Sequence, residues 1–257
     1  MNADPLEIER ECETHGPYTG RLVHERTILL DKPFGPFYSS CPTCAAEHRA
    51  READAQRRES EAQLRRAVEE AGIPRRFQQA KLDGSSTPQV ILAAFAKDFA
   101  KHRQEGSGLV LLGPCGTGKT FAACGLLLEL VRAGTRCAYV TAEGLGREIR
   151  ATFRRDATTT EGDTFEYFAS VPLLVVDELG SSGTAHTVNL LNELIAVRYE
   201  QQIPTVFVTN ANRTELEAYL GQRAADRIAE TCRWVPMTGA SRRRSPAIST
   251  AANRSAP

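Results

Sequence analysis

Gly113-Pro114-Cys115-Gly116-Thr117-Gly118-Lys119-Thr120 stands between an apolar run and a helical one, and everything else in the chain can be placed from it. The eight residues keep the spacing G-x-x-x-x-G-K-[ST] of a phosphate-binding loop. Gly108-Leu109-Val110-Leu111-Leu112 before it reads as a buried strand, and residues 121–131 after it read as a helix. Glycines at these positions let backbone N–H groups turn inward around phosphate oxygens, Lys119 brings a point charge to the terminal phosphates, and Thr120 offers a hydroxyl to Mg²⁺. A glycine-rich turn without that purpose would need neither flank.

Strand and helix go on alternating downstream. Residues 88–104 place Val90, Ile91, Ala94, Phe95, Ala96 and Phe99 at helical spacing. Within residues 136–141, Cys137-Ala138-Tyr139-Val140 reads as a short buried strand; residues 142–155 and 187–201 read as helices. Pro204-Thr205-Val206-Phe207-Val208-Thr209-Asn210 is a core strand with a polar tip. Alternation of this kind predicts a parallel α/β sheet.

Leu173-Leu174-Val175-Val176-Asp177-Glu178 is an apolar strand that ends in two acids. A carboxylate at that end, Asp177, holds Mg²⁺ opposite Thr120, and Glu178 is placed to orient or deprotonate an attacking water. Asn210 has the position to hydrogen-bond the γ-phosphate or that water, with an ordinary turn-initiating Asn as the alternative. The arginines of residues 220–228 suit phosphoryl oxygens, including those of a nucleotide on a neighbouring copy.

Near the start lie two close pairs, Cys12-x-x-His15 and Cys41-x-x-Cys44. Thiolate and imidazole in paired knuckles suit a tetrahedral, closed Zn²⁺ site, which is structural rather than catalytic. So short a segment buries too little surface to fold alone, and a metal supplies the stability that a core does not. His24 is the alternative fourth ligand, without the two-residue spacing. Residues 46–71, rich in Ala, Glu, Arg and Gln with Glu47/Arg51, Asp54/Arg58 and Glu61/Arg65 four apart, read as a solvated linker helix or an arm that presents the metal module to a partner. Gly72-Ile73-Pro74 ends it.

The 257 residues are 41% hydrophobic and 25% charged, enough for one main domain and a small module. Thirty-two basic and 32 acidic residues cancel, so any nucleic-acid surface must be local. Seven cysteines make an odd number for a disulfide framework, and reduced thiols are the simpler expectation. No apolar run approaches the roughly 20 residues of a membrane span, and the first 30 residues lack signal-peptide zones, so a cytoplasmic location is expected.

Taken together, the phosphate loop, Leu173-to-Glu178 running into Leu179-Gly180, Val208-Thr209-Asn210, Leu220-Gly221-x-Arg223-x-x-Asp226-Arg227 and Gly239-Ala240-Ser241-Arg242 resemble the DnaC/DnaI-type helicase loaders and the related IstB transposition helper ATPases. Gly72-Ile73-Pro74-x-Arg76-Phe77 is similar to the segment by which these proteins enter the ATPase domain. The resemblance implies an AAA+ P-loop NTPase fold, a three-layer αβα sandwich around a parallel sheet, preceded by a small N-terminal zinc-binding module and a helical linker. It implies Lys119 and Thr120 on phosphates and Mg²⁺, Asp177 on the metal, Glu178 as catalytic acid/base and Asn210 as first sensor. It further implies Arg227 as an arginine finger acting on a neighbouring subunit and Arg242 as second sensor, with Arg243 or Arg244 as substitutes. ATP then binds between subunits of a homo-oligomer.

Cys12-x-x-His15-Gly16 with Cys41-Pro42-x-Cys44-x-x-Glu47 looks like the zinc module of phage and prophage DnaC-like loaders, whereas IstB helpers usually carry a helical front segment. In the loaders this module docks on a DnaB-type replicative helicase, and the ATPase domain grips single-stranded DNA. Arg147, Arg150, Phe153, Arg154 and Arg155, late in one expected helix, offer phosphate contacts and a stacking ring; a cation-favouring helix end accounts for them equally. The expected division is a zinc module over residues 1–48, a linker over 49–71, the ATPase domain over 72–244 and a disordered tail over 245–257, with a mobile loop over 156–163. ATP, Mg²⁺ and Zn²⁺ are the expected cofactors. An IstB-like transposition regulator and a nucleotide-gated adaptor with little turnover are the competing readings.

Overall fold

The computed structural model describes residues 6–24, 27–29, 32–34, 36–154, 158–181 and 183–239. The chain divides into two units, residues 1–63 and 64–257.

In the first unit, β1 (Glu7–Cys12) pairs antiparallel with β2 (Gly16–His24), which pairs in turn with β5 (Phe37–Tyr38). A short ribbon of β3 (Thr27–Leu29) and β4 (Lys32–Phe34) lies between β2 and β5 in the sequence. These strands are not anticipated by the sequence, because their side chains barely alternate: β1 reads Glu-Ile-Glu-Arg-Glu-Cys. Helix α1 (Pro42–Glu70) begins inside the second cysteine pair and has no buried residue. It is held by local pairing, with Glu47–Arg51 at 3.8 Å and Asp54–Arg58 at 2.7 Å closing as expected. Exposed pairs of this kind contribute little, a few tenths of a kcal/mol each.

The second unit contains α2 (Thr87–Lys97), α3 (Phe99–Glu105), β6 (Gly108–Leu112), α4 (Lys119–Arg132), β7 (Cys137–Thr141), α5 (Ala142–Ala151), α6 (Glu161–Ser170), β8 (Leu173–Leu179), α7 (Ala185–Glu200), β9 (Thr205–Thr209), α8 (Arg213–Leu220), α9 (Gln222–Thr231) and β10 (Cys232–Pro236). Among the described residues β6 to β10 form one parallel sheet in the order β10-β6-β9-β8-β7. Period two sorts its side chains onto two faces. Leu109, Leu111, Val175, Val206 and Val208 enter one core with α2 and α4, while Val110, Leu174, Val176 and Phe207 enter a second core with α5, α7 and α9. Burial on both faces is why these strands read as continuous apolar runs rather than as alternating ones. The expected three-layer α/β sandwich around a parallel sheet is therefore present.

Some expected boundaries move. The single helix expected over 88–104 breaks at Asp98, while the Phe95 ring still stacks on His102 at 4.2 Å, so the apolar period continues across the break. Helix α5 stops at Ala151, not near 155: the Thr152 hydroxyl donates to the Ile149 carbonyl at 2.7 Å and closes the last turn. Phe153 and Arg154 therefore follow the helix, and Arg155 lies outside the described residues. The loop expected to run to residue 163 ends earlier, because Thr160 and Asp163 form a reciprocal capping box that starts α6. Strand β10 is not anticipated either. It adds to the edge of the sheet beside β6, where Pro236 lacks an N–H at little cost.

One buried cation ties the second core together. Arg198 is 2% exposed. Its guanidinium donates to the carbonyls of Phe168, Ala169 and Val171 at the end of α6, to the Pro204 carbonyl, and to the Thr205 hydroxyl at 2.8 Å. A planar fork of five N–H donors fits this ring of acceptors as no other side chain does. Among the described residues no helix is long and apolar enough to cross a membrane.

Arg198→Met leaves those carbonyls buried without a donor. The expected loss is about 3 kcal/mol or more, read as a lower urea midpoint at unchanged slope from the fluorescence of the single tryptophan, Trp234, which sits on β10. Arg198→Lys, with a point charge and three donors, is expected to recover part of it.

Candidate functional site

The carboxyl ends of β6, β8 and β9 open into a cavity of about 470 Å³. Its lining brings together Cys115, Gly116, Gly118, Lys119 and Thr120 of the phosphate loop, Asp177 and Glu178 of β8, and Asn210 after β9. It sits between β6 and β9, whose onward connections, to β7 and to β10, run in opposite directions across the sheet, the place where open parallel sheets bind ligands.

Geometry explains the glycines of the loop. A Cβ on Gly113 would lie 2.1 Å from the Met237 carbonyl oxygen, because the chain leaving β10 crosses here with the Met237 N–H donating to Leu112. Gly118, at φ 95°, occupies the left-handed region that starts α4. Lys119 is buried, and its Nζ donates to the carbonyls of Gly113 at 2.6 Å and Pro114 at 2.8 Å. Thr117 closes the same turn through Pro114 at 3.0 Å. Gly113, Pro114 and Thr117 thus shape the loop from behind. Asn210 donates its amide to the Cys115 sulfur at 3.3 Å, which joins the tip of β9 to the phosphate loop.

The two acids have opposite environments. Asp177 is 3% exposed and accepts from the Glu178 N–H at 2.7 Å and from the Tyr139 hydroxyl at 2.8 Å. Glu178 is exposed and held at φ 58°, a left-handed conformation costing a non-glycine residue about 1–3 kcal/mol. The pairing of β8 with β9 shifts register there, between Val176 and Leu179. The Ser181 hydroxyl donates to the Glu178 carbonyl at 2.7 Å, and the Thr209 hydroxyl to that of Leu179, also at 2.7 Å. The bulge therefore re-aims one acid without unpairing the strand around it.

The donors facing this cavity, a threonine hydroxyl and carboxylates, are hard oxygens of the type Mg²⁺ takes. Asp177 and Thr120 are the residues that would hold it. Arg76 and Phe77 line the cavity and Tyr139 supports it; sequence reasoning placed the first two only in the entry segment of the domain and gave none of the three a site role. Tyr139 was read only as part of a strand, although its diagonal relation to Asp177 follows from the pairing of Thr141 with Asp177. Burial, reinforced by the Asp177 charge, drives its phenol well above the ordinary tyrosine range, which keeps it a donor.

Arg227 is not in this cavity. Its guanidinium lies 5.5 Å from the Tyr199 ring centroid and 3.7 Å from a Glu200 oxygen. Arg242, Arg243 and Arg244 lie outside the described residues. Arg147 and Arg150 are on α5, and Phe153 just beyond it is 65% exposed. Arg147 lines a different cavity, of about 680 Å³, along the outer edge of β7.

In the first unit the ligand atoms of Cys12, His15, Cys41 and Cys44 all lie within 4.8 Å of one another. Cys12 precedes the β1–β2 turn, His15 sits in it, and the other pair opens α1. His15 Nδ1 faces the sulfurs, 3.2 Å from Cys44 and 3.7 Å from Cys12 and Cys41, while Nε2 meets Glu47 at 3.2 Å. That carboxylate is a supporting contact of the sort that fixes the tautomer of a metal-ligating histidine. Backbone N–H groups of Thr14 and His15 bring the Cys12 thiol down to about 6, and Cys44, facing Cys12, is pushed up to about 11. Sulfurs this close compete for one negative charge. Three thiolates with one imidazole are a donor set suited to Zn²⁺. The His24 side chain lies outside what the structure describes.

Comparison with known proteins follows the same lines. Residues 46–249 match the model of the family described as IstB-like ATP binding protein. The replicative helicase loader DnaC of Escherichia coli (strain K12) is 28% identical over 123 residues, which are 48% of this chain and 50% of that protein. The replicative helicase loader DnaI of Bacillus subtilis (strain 168) is 24% identical over 199 residues, 76% of this chain and 60% of that protein. The chain thus spans only about half to three fifths of the length of these relatives. A crystal structure of the DnaC helicase loader shares the fold at a TM-score of 0.57 and 22% identity, over 64% of this chain and all of that one. Because the family model covers the phosphate loop, the acidic strand and the whole parallel sheet, the chain belongs to the IstB-like ATP binding protein family.

Proposed function

We propose that the chain is an ATPase that loads a DnaB-type replicative DNA helicase, binding ATP with Mg²⁺ at a site completed by a neighbouring copy and gripping single-stranded DNA as it does so. The observation that carries hydrolysis is the contrast between the adjacent acids. Asp177 is buried and held by two donors, as a metal-supporting carboxylate must be. Glu178 is exposed, strained and turned toward the cleft, as a group that takes a proton from water must be. Asn210, bonded to the phosphate loop, is placed to report on the γ-phosphate. Arg227 does not line its own cleft, which suits a finger acting on the next subunit.

The loader role draws on the names of the two relatives and on the cysteine–histidine cluster, which we read as a structural Zn²⁺ site held by Cys12, His15, Cys41 and Cys44. Arg147, Arg150 and Arg154, with the exposed Phe153, are the candidate DNA contacts. A second reading, which follows from the resemblance to the IstB helper ATPases, is a transposition helper that binds DNA and regulates a transposase.

Glu178→Gln is expected to hold ATP within about twofold of wild type while turnover falls about 10²-fold or more; unchanged hydrolysis removes Glu178 from the chemistry. Metal analysis of the purified chain should give about one zinc per protein, falling to near zero in Cys41→Ala. A folded wild-type protein free of metal overturns that site. Co-purification from the host should recover its replicative helicase. Recovery of a transposase with no helicase selects the second reading.

A further inference from the structure

Asp177 is the buried acid of the cleft, and the protein group besides the neighbouring backbone that holds it is a phenol from the next strand. The Tyr139 hydroxyl donates to Oδ2 at 2.8 Å, and the Glu178 N–H donates to Oδ1 at 2.7 Å. An ionised carboxylate offers about four lone-pair directions, two on each oxygen. One on each is taken from the protein side, which fixes the plane of the group and leaves the other pair for the cleft.

The phenol is itself anchored. Tyr139 lies in β7, the edge strand of the sheet, and its N–H donates to the Ala71 carbonyl at 2.8 Å. Gly72 then passes so close that a Cβ there would stand 2.9 Å from the Tyr139 carbonyl oxygen. Backbone pairing on one side with Val175 and contact on the other with residues 71 and 72 fix the backbone from which the ring projects. A phenylalanine fills the same apolar space; what the hydroxyl adds is one hydrogen bond to the acid.

We propose that Tyr139 is a positioning residue for Asp177, holding the carboxylate in the orientation that supports Mg²⁺ and thereby setting the metal requirement of nucleotide binding. The inference rests on the reading of Asp177 as the metal-supporting acid. Loss of a partner that orients a ligating group weakens metal binding by about 10-fold or more.

The test is a Mg²⁺ titration of the binding of a fluorescent ATP analogue to the full chain, with affinity in excess EDTA measured alongside. In Tyr139→Phe the Mg²⁺ concentration for half-maximal enhancement is expected to rise about 10-fold, with the EDTA affinity unchanged. Asp177→Asn is expected to raise it as well, and Tyr139→Phe should add nothing on that background, since its effect passes through the carboxylate. A Tyr139→Phe requirement equal to wild type, while Asp177→Asn raises it, overturns the role of Tyr139 alone. Additive effects, or an equal loss of affinity in EDTA, make Tyr139 a packing residue and overturn it too. An Asp177→Asn requirement equal to wild type overturns the reading of Asp177 and this inference with it.

Discussion

A parallel sheet covered by helices on both faces has nowhere inside it for polar chemistry, so that chemistry is confined to the row where the strands stop. Strands β6 and β8 are apolar up to their carboxyl ends, and Gly113, Asp177 and Asn210 stand at or just past the ends of β6, β8 and β9. The backbone at such a row is no longer paired by the sheet. Its N–H and C=O groups must find partners in loops, side chains or a ligand. Here the Met237 N–H donates to the Leu112 carbonyl and the Thr209 hydroxyl to the Leu179 carbonyl, while the Asn210 amide ties its side chain to the Cys115 sulfur. The cleft is the space these contacts leave open.

Within it, two neighbouring carboxylates are given different properties by one irregularity of the backbone. In a regular strand Asp177 and Glu178 would point to opposite faces. The bulge and the left-handed Glu178 bring both to the same cavity, one buried and one exposed. Strain of this size persists only where the surroundings over-determine it. Ser181, Thr209 and the close packing of Gly180, at φ 78° beside Leu216, do so here.

The first unit answers the same problem of stability in another way. Strand β1 exposes most of its side chains and α1 buries none, and four atoms able to ligate a metal are gathered from the hairpin turn and the start of the helix. Arg198 shows the opposite economy in the second unit, where a charge is buried because five acceptors surround it. In both, polar groups are concentrated where they can be fully partnered.

The order of the elements around the phosphate loop, the parallel sheet and the two acids could be read from the chain alone, because each is written in contiguous residues: a glycine spacing, an apolar run, a pair of carboxylates. The pairs Cys12/His15 and Cys41/Cys44 were legible for the same reason. What lay outside such strings was not. The break at Asp98 left the apolar period intact, and the Thr160 capping box looked like loop composition. Strand β10 shows its purpose only beside β6, and the distance of Arg227 from its own cleft has no sequence signature. Tyr139 is the clearest case. Along the chain it is one more residue of a buried strand, 38 positions from Asp177. Only the parallel pairing of β7 with β8 brings its hydroxyl to that carboxylate, because a hydrogen bond depends on distance in space and the sequence records distance along the chain.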